Sequence, residues 1–158
     1  MQSDYKFSEE KFDDGLISDM VPLLERHHLE LSHYKDIPLN PDFESYKRIY
    51  DLKMMKVFTA RVDNSLEMNG ELVGYNIFIV SKSLHYSDYL CAVQDSIYID
   101  KKRRGFGLSF IKWCDKKLQD VGIQVVYQHM KAQHSFGLML ERIGYELVDL
   151  IYAKRLGE

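Results

Sequence analysis

"DKKRRGFGLSFIKW", Asp100 to Trp113, sets four basic residues before a Gly-x-Gly and then enters an amphipathic run. The stripe Leu108, Ile111, Cys114, Leu118 and Val121 has helical spacing, and "LCAVQDSIYID" (90–100) ahead of it reads as a strand. A strand that ends in a glycine turn and feeds a helix aims free backbone N–H groups at one point. The positive end of the helix dipole lies there too. Glycine lets an anion approach the backbone closely, and Lys101, Lys102, Arg103 and Arg104 add charge, the arginines in bidentate form. The stretch therefore reads as an anion-binding turn, with a solvated basic turn as the competing reading. It is not a P-loop, because the GKS/T ending is missing. Nor is it a GxGxxG turn, because Phe110 stands three residues after Gly107.

Charge along the chain supports that position. The net charge is −3, which argues against general nucleic-acid binding. Residues 1–51 carry twelve acids against six Lys/Arg, whereas 101–117 carry seven Lys/Arg against Asp115 alone. An anionic ligand would seek the second region, and the acidic first third would suit a cationic acceptor. The 158 residues are expected to form one domain. Cys91 and Cys114 lie in apolar stretches outside any CxxC pair and read as buried free thiols of a reducing compartment. Without a signal peptide or spanning run, the expected location is cytoplasmic.

The remaining elements place this turn in a mixed α/β sheet. "GLISDMVPLLERHHLELS" (15–32) has near-helical apolar spacing, with Pro22 expected to mark where the regular part starts. Pro41 and Asp42 open a second helix through Met54. "VFTARVD" (57–63), a polar turn at 64–70 and "ELVGYNIFIVSK" (71–82) read as a hairpin. "GIQVVYQHM" (122–130) reads as a buried strand, "QHSFGLMLERI" (133–143) as a helix, and "GYELVDLIYAKRL" (144–156) as one or two closing strands.

At this point "RRGFGLSFIKW" resembles the coenzyme A pyrophosphate loop of the GNAT N-acetyltransferases, whose pattern is Arg/Gln-x-x-Gly-x-Gly/Ala opening a helix. "LMLERIGYEL" (138–147) resembles the "FYEKLGF" helix-to-strand stretch of the same superfamily, and the element order agrees across nearly the whole chain. Within it, "KDIPLNPDFESY", "LHYSDYL" and "FGLMLERIGY…IYAKRL" look most like small bacteriophage acetyltransferases. The resemblance implies a GNAT-type, mostly antiparallel sheet flanked by helices. Residues 1–56 would form a helical amino-terminal part with the acceptor-side loop, and 57–158 the acetyl-CoA-binding core. It implies acetyl-CoA as acyl donor, held by Ile97, Tyr98 and Ile99 of the strand, by Lys102, Arg103, Arg104, Gly105, Phe106, Gly107 and Leu108 of the turn, and by Gln133 where relatives often carry asparagine. Two departures stand out: Lys102 occupies the first motif position, and Leu140 falls where many members carry a tyrosine acid.

Direct transfer to an amine requires that an ammonium lose its proton before attack, which a carboxylate or imidazole can accept. Asp95, mid-strand among apolar neighbours, is the first candidate, with burial expected to raise its pKa. A structural or substrate-anchoring aspartate is the alternative. His129 and His134 are the other candidate bases. Cys91 lacks an evident activating partner for nucleophilic work. Tyr127 and Tyr152 are candidate substitutes for the missing acid. The loop "HYKDIPLNPD" with Tyr34, and His85 and Tyr86 of "LHYSDY", are expected to line the acceptor pocket. His27, His28 and His33 do not converge on a helix, so no metal is expected. The partners are then coenzyme A and an amine of a small molecule or a protein lysine, with the chain a monomer or homodimer. A non-catalytic module gripping coenzyme A or a host protein is the second reading, and a nucleic-acid binder using 101–117 a distant third.

Overall fold

The computed structural model describes residues 5–63 and 69–157. Five strands form one sheet in chain order: β1 (Tyr5–Glu9), β2 (Met55–Val62), β3 (Glu71–Lys82), β4 (Leu90–Ile99) and β5 (Val125–Tyr127). The first four pair antiparallel, and β5 runs parallel to β4. Parallel pairing requires a crossover, supplied by helix α3 (Gly107–Asp120). The mixed, mostly antiparallel sheet flanked by helices is as expected from sequence. The hairpin turn expected at 64–70 falls, at 64–68, outside the described residues.

Helices α1 (Asp14–Leu31) and α2 (Phe43–Asp51) cover one face of the sheet. Leu16, Met20 and Leu23 of α1 pack there with Val57, Tyr75 and Ile77. Helix α3 covers the other face, where Phe106, Phe110, Cys114 and Leu118 meet Phe58 and Phe78. Each fully buried side chain of this size contributes about 1.5–3 kcal/mol. Both cysteines are buried and unpaired. No helix of the described residues is long and apolar enough to cross a membrane.

Four expectations are corrected. Pro22 lies inside α1 rather than at its start. A proline within a helix costs about 3 kcal/mol, which the burial of Met20 and Leu23 on either side of it outweighs. Strand β1 was not foreseen, because only Tyr5 and Phe7 alternate in it. Those two rings pack on Phe106, Phe110 and Trp113, contacts formed only in the folded chain. Several elements are shorter than expected. β5 keeps only three residues, α2 stops at Asp51, and the helix expected at 133–143 becomes a 3-10 turn (Ala132–His134) and a short helix α4 (Gly137–Glu141). Finally, residues 146–157 form no strand. A strand exists only against a hydrogen-bonding edge, and none meets this segment among the described residues.

Candidate functional site

The site grows from an irregularity in β4. Ser96 faces Ile77 and Gln94 faces Phe78, so Asp95 is the extra residue of a β-bulge. A bulge bends its strand and re-aims a side chain. Asp95 is consequently exposed, which corrects the expectation that it is buried among its apolar neighbours. Its Oδ2 accepts a hydrogen bond of 2.6 Å from the Tyr46 hydroxyl on α2. Among the described residues no group donates to Oδ1 of this exposed carboxylate, so that oxygen is free to accept.

Just before the bulge, β4 parts from β5. Their pairing runs from Cys91–Val125 to Val93–Tyr127 and stops. The Gln94 side chain enters the parting, where its Oε1 accepts from the His129 N–H at 2.8 Å. Beyond it, Ile97, Tyr98 and Ile99 pair with β3 on one side only. That leaves the opposite backbone edge of β4 open toward a ligand.

At the end of β4 the chain makes the basic turn. Asp100 is its anchor: Oδ1 accepts from the Lys102 N–H at 3.0 Å, and Oδ2 pairs with Arg26 at 3.0 Å. Gly105 has φ +128°, a conformation that L side chains rarely adopt. Gly107 opens α3, and a Cβ there would stand 3.2 Å from Ile99 Cδ1. Phe106, the N-cap, contributes no side-chain bond, so the first N–H groups of α3 are left for a ligand. Arg103 pairs with Glu71 at 3.3 Å, and Arg104 pairs with Glu30. Lys101 and Lys102 have no acidic partner among the described residues. Glycines, uncapped helix N–H groups and cations are the donor set a pyrophosphate needs, so the residues present fit that group.

Between bulge and turn runs a polar cluster that the sequence did not reveal. Tyr75 of β3 faces Tyr98 of β4 across the sheet. The Tyr75 hydroxyl and His27 Nδ1 are 2.7 Å apart, and the His27 ring stacks on Tyr98 at 5.0 Å. Tyr98 donates to Glu30 at 3.1 Å, and Glu30 holds Arg104. Burial, followed by the charge of Lys131, pushes the His27 pKa down to about 4. Partial burial pushes the Glu30 carboxyl up, but the hydrogen bonds from Arg104 and Tyr98 outweigh it and hold it below the usual range. Burial and the Asp95 carboxylate push the Tyr46 hydroxyl well up, so Tyr46 remains a donor. Partners such as Tyr46 and Asp95, 49 positions apart, leave no mark in local spacing.

The other candidates are dispersed. His134 and Gln133 are exposed in the 3-10 turn after β5, and His129 is exposed beside the parting. His85 and Tyr86 are exposed in the loop before Leu90, five residues ahead of Asp95 and thus roughly 17 Å along the strand. Tyr34 is half-buried in the α1–α2 loop beneath the guanidinium of Arg155. Leu140 is buried, an apolar side chain with no proton to give. Cys91 is buried as well.

No protein-family model matches the sequence, and no curated protein matches it either. Solved structures do match in fold. A ribosomal-protein-alanine N-acetyltransferase from Brucella melitensis biovar Abortus 2308 superposes with a TM-score of 0.68 at 20% identity, over 97% of this chain and 99% of that one. An aminoglycoside acetyltransferase from an uncultured soil metagenomic sample, in complex with sisomicin, gives 0.66 at 16%, over 96% and 97%. Glucosamine-6-phosphate N-acetyltransferase from Arabidopsis thaliana gives 0.69 at 11%, over 97% and 99%. The chain has the GNAT acetyltransferase fold.

Proposed function

We propose that this chain is an acetyl-CoA-dependent N-acetyltransferase acting on an amine of a small molecule or a protein lysine. The observation that carries the reading is the parting of β4 from β5 after Val93, with an exposed carboxylate at one end of the open edge and a cationic glycine turn at the other. The pyrophosphate of the donor is assigned to the N-terminus of α3 and to Lys102, Arg103 and Arg104. The pantetheine arm is assigned to the open edge of Ile97–Ile99. Acetyl-CoA supplies an acyl group activated as a thioester.

In this reading the chain's own residues move one proton and orient the acceptor. Oδ1 of Asp95 accepts a proton from the acceptor ammonium, while Tyr46 holds Oδ2 and with it the carboxylate plane. The N–C bond to the acetyl carbonyl forms as the C–S bond breaks. The nitrogen gives up its second proton to water as the amide forms, and water passes a proton to the departing thiolate, a good leaving group, so an acid at Leu140 is dispensable. His129 and His134 are the alternative bases. The acceptor side is assigned to Tyr34 and the α1–α2 loop, with His85 and Tyr86 on a more distant rim. Buried free thiols agree with a reducing, cytoplasmic setting, and a bacteriophage source agrees with the motif resemblance.

The second reading is a non-catalytic module of the same fold, favoured by the apolar residue at Leu140. Thiol release from acetyl-CoA against a panel of primary amines and lysine peptides separates the two. Acetyl-transfer activity that depends on an amine is expected. Binding of acetyl-CoA with no release for any acceptor would support the module.

A further inference from the structure

The start of the glycine turn is fastened by its own residues. The Asp100 N–H bonds to the Val73 carbonyl at 2.8 Å, and Arg103 Nη2 reaches Glu71 at 3.3 Å. From Arg104 to Gly107 the backbone differs. Among the described residues no backbone carbonyl accepts from these four N–H groups, and Gly105 sits in the middle of them at φ +128°. A stretch with no hydrogen bonds of its own, hinged on a glycine, is ordered only by what packs against it.

What packs against it is β1. Phe106 is 4% exposed. The Tyr5 ring lies 4.1 Å from it, centroid to centroid, with Phe7 at 5.8 Å and Phe110 at 6.3 Å. Pairing with β2 sets these positions: Tyr5 stands opposite Val62 and Phe7 opposite Ala60, while Lys6 between them is exposed. Tyr5 also donates its hydroxyl to the Arg103 carbonyl at 3.4 Å. One side chain thus touches the turn on both sides of Gly105. The second contact orients a peptide plane. In a trans peptide the C=O and N–H point opposite ways, so a carbonyl held toward Tyr5 turns the Arg104 N–H away from it.

We infer that Tyr5 is a positioning residue of the anion-binding turn. It orders Arg104–Gly107 with their N–H groups directed at the donor, acting through Phe106 and Arg103 rather than by touching the ligand. The inference rests on the assignment of this turn to the pyrophosphate of acetyl-CoA. It makes β1 a determinant of donor affinity, because a turn ordered beforehand binds without the entropy cost of ordering at that step. A hydroxyl bond of 3.4 Å is long and weak, so the ring on Phe106 carries most of the effect.

Tyr5→Ala, the milder Tyr5→Leu, Tyr5→Phe and Ser8→Ala test it with two readouts. Ser8 lies on the same strand with its Oγ 3.2 Å from Thr59 Oγ1, away from the turn, so its variant reports a general weakening of β1. Calorimetry should show acetyl-CoA affinity about 10-fold weaker in Tyr5→Ala and intermediate in Tyr5→Leu. Tyr5→Phe should stay within about 3-fold of wild type, and Ser8→Ala should match it. With saturating acetyl-CoA, kcat should stay within about 2-fold throughout, the mark of a lost binding contribution alone. Nitrogen-15 relaxation on the ligand-free protein needs no donor. Order parameters at Arg104–Gly107 should fall from about 0.85 to about 0.6 or below in Tyr5→Ala and recover in Tyr5→Phe, with α3 beyond Phe110 unchanged. Unchanged order parameters, equal losses in Ser8→Ala, or equal affinity in wild type and Tyr5→Ala would overturn the assignment. A folded wild-type chain that binds no acetyl-CoA would instead overturn the donor reading, and the order parameters would still decide whether Tyr5 orders the turn.

Discussion

Tyr46 of α2 donates its hydroxyl to Asp95 of β4 at 2.6 Å, tying the amino-terminal helices to the bulge in the strand that leads into the glycine turn. The pair engages one carboxylate oxygen and leaves the other free to accept. Asp95→Asn should lower kcat about 100-fold or more, the usual range for a lost general base, with acetyl-CoA affinity unchanged. Tyr46→Phe keeps the carboxylate but frees its plane, so a smaller loss of roughly 3- to 10-fold in kcat is expected. Steady-state kinetics on both variants checks this, and full activity in Asp95→Asn would move the base to His129 or His134.

Glu30 pairs with Arg104. An exposed ion pair is worth about 0–1 kcal/mol, and a phosphate bound at Arg104, as proposed, would displace it. Glu30→Gln is therefore expected to tighten acetyl-CoA binding by up to about 5-fold, measured by calorimetry. Weaker binding would show that Glu30 orients Arg104 rather than competing for it.

His27 gives the fold a pH dependence of known sign. Its pKa falls from 6.5 to about 4 on folding, chiefly through burial. Between those values the unfolded chain binds the proton and the folded chain does not, so stability is fully present above pH 6.5 and is lost as pH falls toward 4. The contribution is on the order of 3 kcal/mol. Urea titrations across this window should show a declining limb that flattens in His27→Gln. Glu10 and Glu30, also held below the usual carboxylate range, lose stability in the same direction at lower pH and remain in the variant.

Local pattern carried the parts of the fold that depend on near neighbours. The turn at Asp100–Leu108 was legible because glycine, charge and helical stripe lie within one short stretch. β2, β3 and β4 were legible as continuous apolar runs. The bulge at Asp95 was not, since it is defined by two partners on β3 rather than by anything in β4 itself. The His27–Tyr75–Tyr98–Glu30 cluster was hidden for the same reason: its members come from α1, β3 and β4. Helix α1 ran through Pro22 because the burial of Met20 and Leu23 overrode a local penalty. The segment 146–157 shows the converse, a sequence with strand composition that pairs with no strand among the described residues.

The central claim is that the glycine turn at the head of α3 holds the pyrophosphate of acetyl-CoA, and calorimetric titration of wild type, Gly107→Ala and Gly107→Glu tests it most directly. The alanine Cβ meets only the flexible end of Ile99, so that variant should fold and bind within a few-fold of wild type. The glutamate sets a carboxylate among the helix N–H groups meant for phosphate and should weaken binding about 100-fold or more. Saturable wild-type binding that disappears in Gly107→Glu is the predicted result. No binding by folded wild-type protein, or equal affinity in Gly107→Glu, would contradict it.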